Sequence, residues 1–422
     1  VRVLEIFYEI CKIPHCSHKS SELKEYISRF SKKHGFETIC DKSGNILCRK
    51  DSAVLCLQSH YDMVCVGEAP DIEIVKKDGY ITAKNSSLGA DNGIGVAIML
   101  WLMEKGIKAE YLFTADEEVG MIGAQNLQFE LKSKYMLNLD SEDEKDIFIG
   151  CAGGLDIKAL CDIKLAKPKF QNFYEIEICN LPGGHSGVDI DKNIPNAIKE
   201  LSLFLYENDF ELVSFEGGER INSIPSRAKA VINAKTPPAS RDDITVRKCG
   251  DFDFIIEDGE RLIHALAAFP SGVRAYDKEF MIPLDSVNLS IVKTDSKKGV
   301  VEVSARSMQK KGLERLKIQT KAFFEMAGFK VESYGYYPPW EPKISKFAKK
   351  VKKIYEKEGI KAGFKAIHAG LECAVISQKY PDLEIVSIGP DILYPHSTRE
   401  KVSIDSIMKI AEITEKLAND FS

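Results

Sequence analysis

Four short apolar runs in this chain each lead straight into acids or a histidine, and that repetition limits the folds open to it. Ala53–Gln58 leads into Ser59-His60-Tyr61-Asp62, Glu110–Thr114 into Ala115-Asp116-Glu117-Glu118, Tyr135–Leu139 into Asp140, and Leu383–Ile388 into a loop carrying His396. Short runs of strand length, mostly apolar and bounded by polar residues, read as buried strands of a mainly parallel sheet. Ligands of open α/β sheets bind beyond the carboxyl ends of the strands. A further acid, Asp91, stands between Gly89-Ala90 and the apolar helical stretch Asn92–Glu104.

Around these runs the pattern alternates between helix and strand up to about residue 165. Val3–Cys11 and Ser21–His34 have helical spacing, with Ser20 or Ser21 as N-cap and Gly35 as stop. Met121–Gln128 reads as a further helix. Between about Pro168 and Tyr336 the character changes. Tyr174–Cys179, Lys229–Ala234, Val287–Val292 and Val300–Ser304 read as strands, interleaved with helices Ile194–Tyr206 and Glu314–Met326. Pro338-Pro339-Trp340 and Pro342 mark a linker back, after which Ser345–Lys357, Leu383–Ile388 and Ile404–Leu417 resume the first pattern. The expected architecture is a discontinuous α/β domain, residues 1–165 and 337–422, with an α+β insertion at 166–336.

A length of 422 residues suits two such domains. The formal charge of −5 offers no basic field for nucleic acid or an acidic membrane. Val1–Ile10 has the pattern of an amphipathic helix rather than a secretory signal, and the longest apolar span, Gly93–Met103, is too short to cross a bilayer. The eleven cysteines contain no C-x-x-C pair, and Cys48, Cys56 and Cys179 lie in apolar strand-like runs. Reduced, buried thiols and a cytoplasmic location are the expectation.

Taken singly, each charged residue has an ordinary reading. Asp91 would cap a helix, Glu117-Glu118 would be a solvated helix start, and His396 would be a loop residue. Their convergence at strand ends favours metal. Zinc accepts imidazole nitrogen and carboxylate oxygen. His60, Asp91 and Asp140 can hold one ion, and Asp91, Glu118 and His396 a second, with Asp91 bridging. Two divalent cations balance three carboxylates and a bridging hydroxide, whereas the bare acids would repel one another. Asp62, two residues after His60, can orient the imidazole. Glu117, beside a ligand, can act as general base and then acid.

The segments S-H-Y-D-M-V, S-L-G-A-D-N-G-I-G, A-D-E-E-V-G-M-I-G-A, L-N-L-D-S-E and S-I-G-P-D-I-L-Y-P-H-S resemble, in this order, those of the di-zinc aminoacyl-histidine dipeptidases, also called cytosol non-specific dipeptidases. Carnosinases, aminoacylases and succinyl-diaminopimelate desuccinylases are more distant. The resemblance runs from I-C-K-I-P-H (Ile10–His15) to His396. It implies the same five ligands, His60, Asp91, Glu118, Asp140 and His396, with Glu117 as general acid/base and Asp62 supporting His60. It also implies two Zn2+ (Co2+ or Mn2+ as substitutes), a cis peptide after Asp91, and an inserted lid and dimerisation domain. In N-L-P-G-G-H-S-G it implies His185 as oxyanion donor, and in V-S-A-R-S Arg306 as binder of the substrate carboxylate. Asn222, in R-I-N-S-I-P, would lie near substrate. In I-H-A-G-L-E-C, Glu372 would anchor a free amino group and His368 would be structural. Cys65 stands where relatives usually have proline.

Metal-dependent hydrolysis of unblocked dipeptides, those ending in histidine among them, by a homodimer is the activity so implied. An aminoacylase or N-acyl-amino-acid deacylase could use the same metal pair. A non-catalytic, metal-bound peptide-binding protein would be expected to lack the base or a ligand, and none is missing. A Ser-His-Asp or Cys-His hydrolase would need a nucleophile elbow, which the sequence does not contain.

Overall fold

The four apolar runs become neighbours. In a computed structural model, which describes residues 1–50, 53–241 and 243–421, Glu110–Thr114, Leu55–His60, Tyr135–Asn138 and Glu384–Ser387 lie side by side and parallel in the middle of an eight-stranded sheet. Ile46–Arg49 and Glu37–Cys40 continue it antiparallel on one side. On the other lie Asp146–Cys151, antiparallel to its neighbour, and then Gly363–Ile367. The sheet is therefore mixed, with its four central strands parallel. Every residue of Leu55–His60 and Glu110–Thr114 is buried, as strands covered on both faces must be.

Register decides what this sheet can build. His60 pairs with Thr114, Gln58 with Asn138, and Asn138 with Ser387. The chain therefore leaves all four strands at one level, and the residues beyond each strand emerge along one edge. The helix Ala90–Glu104 is buried except at Asp91, Trp101 and Glu104, so it is a core element, apolar on nearly every side. Lys346–Lys357 is amphipathic instead, burying Phe347, Val351, Ile354 and Tyr355, with the Ser345 hydroxyl accepting from the Ala348 amide. A small second sheet orders Ile392–Leu393, Lys401–Ser403, Tyr80–Ala83 and Ile74–Lys77. These elements belong to one unit, Val1–Gly150, Pro342–Ala366 and Leu371–Ser422.

The other unit, Cys151–Glu341 with Ile367–Gly370, is an α+β module. Nine of its strands form an antiparallel sheet, in which Gly153–Asp162 lies between Lys298–Ser307 and Lys330–Tyr337. That pairing places Gly153–Asp162 in this unit, ahead of the boundary expected near residue 165. Helices Ala197–Tyr206, Gly259–Ala268 and Lys310–Met326 contribute Ile198, Leu201, Leu205, Ile263, Leu266, Leu313 and Phe324 to its apolar core.

The structure departs from expectation at several points. The helix expected over Met121–Gln128 is a single turn, Ile122–Gln125, because the Asn126 side-chain amide donates to the Ile122 carbonyl and ends it. Ser20 occupies the N-cap position of Ser21–Lys33 without a side-chain capping bond. The thiols are not all reduced: Cys16 and Cys65 form a disulfide, while Cys11, Cys48, Cys56 and six others take no part in one. The two partners, 49 residues apart, are brought to a Cα separation of 5.5 Å where Cys16 bridges Met63. Among the described residues no helix is long and apolar enough to cross a membrane.

Candidate metal centre

All five expected ligands meet in the first unit. His60 ends its strand with Nε2 3.2 Å from Asp91 Oδ1 and 3.2 Å from Asp140 Oδ1. His396 Nε2 lies 3.0 Å from Asp91 Oδ2 and 3.0 Å from Glu118 Oε1. Two sets of three thus form, His60 with Asp91 and Asp140, and Asp91 with Glu118 and His396. Asp91 belongs to both and offers one oxygen to each. The expected cis peptide joins Asp91 to Asn92.

Does this donor set fit two cations? Two ligand atoms each 2.0–2.1 Å from a tetrahedral ion would stand roughly 3.3 Å apart, close to the separations seen. Glu118 Oε1 and Asp140 Oδ1 are buried without a hydrogen-bond donor: the imidazole nitrogens near them have the distance of an ion pair but not the angle of a hydrogen bond. Burial and the negative charge of Asp91 raise the Glu118 carboxyl, and burial raises Asp140 to about 6. Burial works against a charged His396, but its contacts to Asp91 and Glu118 win and lift it to about 11. A pocket of acids that holds protons so tightly is one that cations stabilise. The residues fit a dinuclear site.

Asp62 supports the centre differently from expectation. The Nδ1–H of His60 points to the backbone carbonyl of Asp62, 3.0 Å away, and the carboxylate is farther at 3.6 Å. That backbone bond leaves Nε2 for metal. The Asp62 carboxylate instead accepts the backbone amides of Glu117 (2.9 Å) and Glu118 (3.4 Å) and the Ser17 hydroxyl (2.8 Å). It thereby fixes the acid pair opposite His60. Asp116, at φ 52, turns the chain so that this can happen, and accepts the His18 amide at 2.6 Å. Burial raises Glu117 well above the carboxylate range, the state in which a carboxylate takes up a proton readily.

Glu372 is wholly buried, and its Oε2 accepts from Gln58 Nε2 and Thr114 Oγ1, both at 2.6 Å. It has no exposed surface and braces two strand ends through Oε2, while its Oε1 has no hydrogen-bond partner. Sequence reasoning missed the rest of this network. Gln58 also accepts from Asn138, which accepts from Ser387 and from the Asp140 amide. The signal was present: Gln58, Thr114, Asn138 and Ser387 are the polar residues at or next to the end of each run.

The expected substrate groups lie in the second unit. His185 pairs with Ser223, and its Nδ1 accepts the amides of Gly187 (3.1 Å) and Val188 (3.2 Å). Those bonds put the imidazole proton on Nε2. Asn222 is an exposed residue beside this pair, its carbonyl accepting the Ser186 amide. Arg306 is buried, donates through Nη1 to the Tyr337 hydroxyl, and has no acceptor at Nε. Its cross-strand partner Ser286 is 2.7 Å from His368 Nε2. His368 is buried, as a structural residue would be.

The family model for peptidase family M20/M25/M40 matches residues 56–420. The cytosol non-specific dipeptidase of Escherichia coli (strain K12) is 32% identical over 455 aligned residues, 96% of this chain and 94% of that protein. The crystal structure of aminoacylhistidine dipeptidase from Vibrio alginolyticus is 31% identical, with a TM-score of 0.83 over 100% of this chain and 96% of that one. An aminopeptidase from Bacillus cereus shares the fold at 19% identity and a TM-score of 0.62, over 99% of this chain and 97% of that one. On the family match and the full-length similarity, this chain belongs to peptidase family M20/M25/M40.

Proposed function

We propose that this chain hydrolyses unblocked dipeptides at a pair of zinc ions. Family membership makes it a peptide-bond hydrolase, and relatives named as dipeptidases match it over nearly their whole length, which supports metal-dependent dipeptide hydrolysis. The observation that carries the reading is Asp91, whose two oxygens face two different imidazoles at 3.2 and 3.0 Å.

His60, Asp91 and Asp140 would hold one ion, and Asp91, Glu118 and His396 the other. Zinc suits this nitrogen and oxygen donor set, with Co2+ or Mn2+ as substitutes. The pair, when bound, supplies Lewis acidity that polarises the scissile carbonyl and makes water more acidic. Glu117 takes the proton of the attacking water and returns it to the departing amine. His185, protonated at Nε2, donates to the developing oxyanion. Arg306, with an unmet Nε donor in a buried position, takes the substrate carboxylate, for which a guanidinium fork is suited. Asn222 contributes a polar contact to substrate. The second unit is assigned this substrate handling and the contact of a homodimer. A cytoplasmic location is supported by the nine cysteines outside any disulfide and opposed by the Cys16–Cys65 disulfide.

Glu117→Gln tests the mechanism. It should keep both ions by metal analysis and lose roughly 10²- to 10⁴-fold in turnover; an unchanged rate sinks the assignment. A free dipeptide should be cleaved and its N-acetylated counterpart spared. The reverse preference would make the chain a deacylase.

A further inference from the structure

Four consecutive amides converge on one carboxylate beside the bridging ligand. The loop before the helix Ala90–Glu104 presents the N–H groups of Leu88, Gly89, Ala90 and Asp91, in a turn that Gly89 enters at φ 72. A Cβ at Gly89 would come within 2.8 Å of the Met63 sulfur, and its φ of 72 is one that residues with side chains rarely adopt. Glu400 fills the concavity. Its Oε2 accepts from Leu88 at 2.7 Å and Gly89 at 3.1 Å, and its Oε1 from Ala90 at 2.8 Å and Asp91 at 3.3 Å. The side chain is 2% exposed, and the amides at this helix start are the partners that make a buried carboxylate tolerable.

Glu400 comes from the loop that also carries His396. That loop joins Ile392–Leu393 to Lys401–Ser403, and the latter pairs with Tyr80–Ala83. The Thr82 hydroxyl donates to the Glu400 carbonyl at 2.7 Å. One end of Glu400 is thus pinned to a strand, and the other grips the segment bearing Asp91. His396, four residues earlier, meets Asp91 Oδ2.

We propose that Glu400 is a positioning residue that sets the place of Asp91 relative to His396, acting through the Leu88–Asp91 amides. This rests on the reading that Asp91 bridges two ions. Ligand orientation by groups behind the ligands typically accounts for 10- to 100-fold in metal affinity or activity. Glu400→Gln keeps the shape but turns an NH2 toward amide donors, so the loop must shift.

The test is titration of Co2+ into apoprotein, wild type against Glu400→Gln, reading stoichiometry, affinity and the visible spectrum. The wild type should take two ions per chain; fewer would overturn the bridging reading itself. If it does take two, Glu400→Gln should bind them roughly 10- to 100-fold more weakly with an altered spectrum. On dipeptides its turnover should fall while KM stays within about threefold, because the ligands are displaced and the substrate contacts are not. Unchanged Co2+ affinity and spectrum, even in a less stable protein, would overturn the proposal. If Glu400→Gln does not fold, Glu400→Asp replaces it with the charge retained and the reach shortened by one methylene. Unchanged Co2+ affinity there would overturn it equally.

Discussion

His368 shows how a single side chain can set a pH limit. It is 3% exposed against Ser286, and burial, reinforced by the charge of Arg306, lowers its pKa to about 3. The folded protein therefore keeps it neutral while the unfolded chain takes up a proton below about 6.5. With more protons bound when unfolded, stability falls as pH drops from 6.5 toward 3, by about 2 kcal/mol between pH 7 and pH 5. Urea midpoints at those two pH values should differ less for His368→Gln than for wild type; identical pH dependence would refute this. At this scale the cluster of candidate ligands was readable because acids and histidines recur beyond the ends of several buried strands. Glu400 was not, since nothing in the order of residues announces that its partners are amides 309 to 312 positions away. Asp62 was half readable: its neighbourhood to His60 followed from spacing, but the choice between carbonyl and carboxylate depended on how the chain turns.

Elements differ in how plainly they announce themselves. The central parallel strands were legible because burial on both faces leaves an unbroken apolar run. Lys330–Tyr337, an edge strand with mostly exposed residues, carries no such run and was missed. The helix Gly259–Ala268 was missed too, although Leu262, Ile263, Ala265 and Leu266 give it an apolar face. Ala197–Tyr206 was expected about three residues too early, because its start is set by Asn196. The Asn196 side-chain carbonyl accepts the Ile198 and Lys199 amides, and its NH2 donates to the Leu289 carbonyl. Removing both a cap and a buried donor should be costly. Asn196→Ala is expected to destabilise the second unit by about 2 kcal/mol, measured as a shift in urea midpoint. A change under about 0.5 kcal/mol would mean the cap is dispensable.

On the scale of the whole molecule, the disulfide was invisible to composition. An odd count without C-x-x-C spacing argued for free thiols, and only the pairing of Cys16 with Met63 brings Cys65 into reach. Closing a loop of 49 residues in the unfolded chain should stabilise the fold by up to about 4 kcal/mol. Treatment with a phosphine reductant should therefore lower the denaturation midpoint of wild type and leave that of Cys65→Ser unmoved. Equal responses would show that the cross-link contributes nothing.

Strand order also dictates a timetable. Glu384–Ser387 is sandwiched between Tyr135–Asn138 and Asp146–Cys151, so during translation an open slot waits while some two hundred further residues emerge. The intervening module, continuous apart from a short return segment, can condense meanwhile, as domains made earlier generally do. Of the five candidate ligands, His396 comes last along the chain. A nascent chain thus carries its acids early, but the candidate metal centre is completed only once His396 has been made.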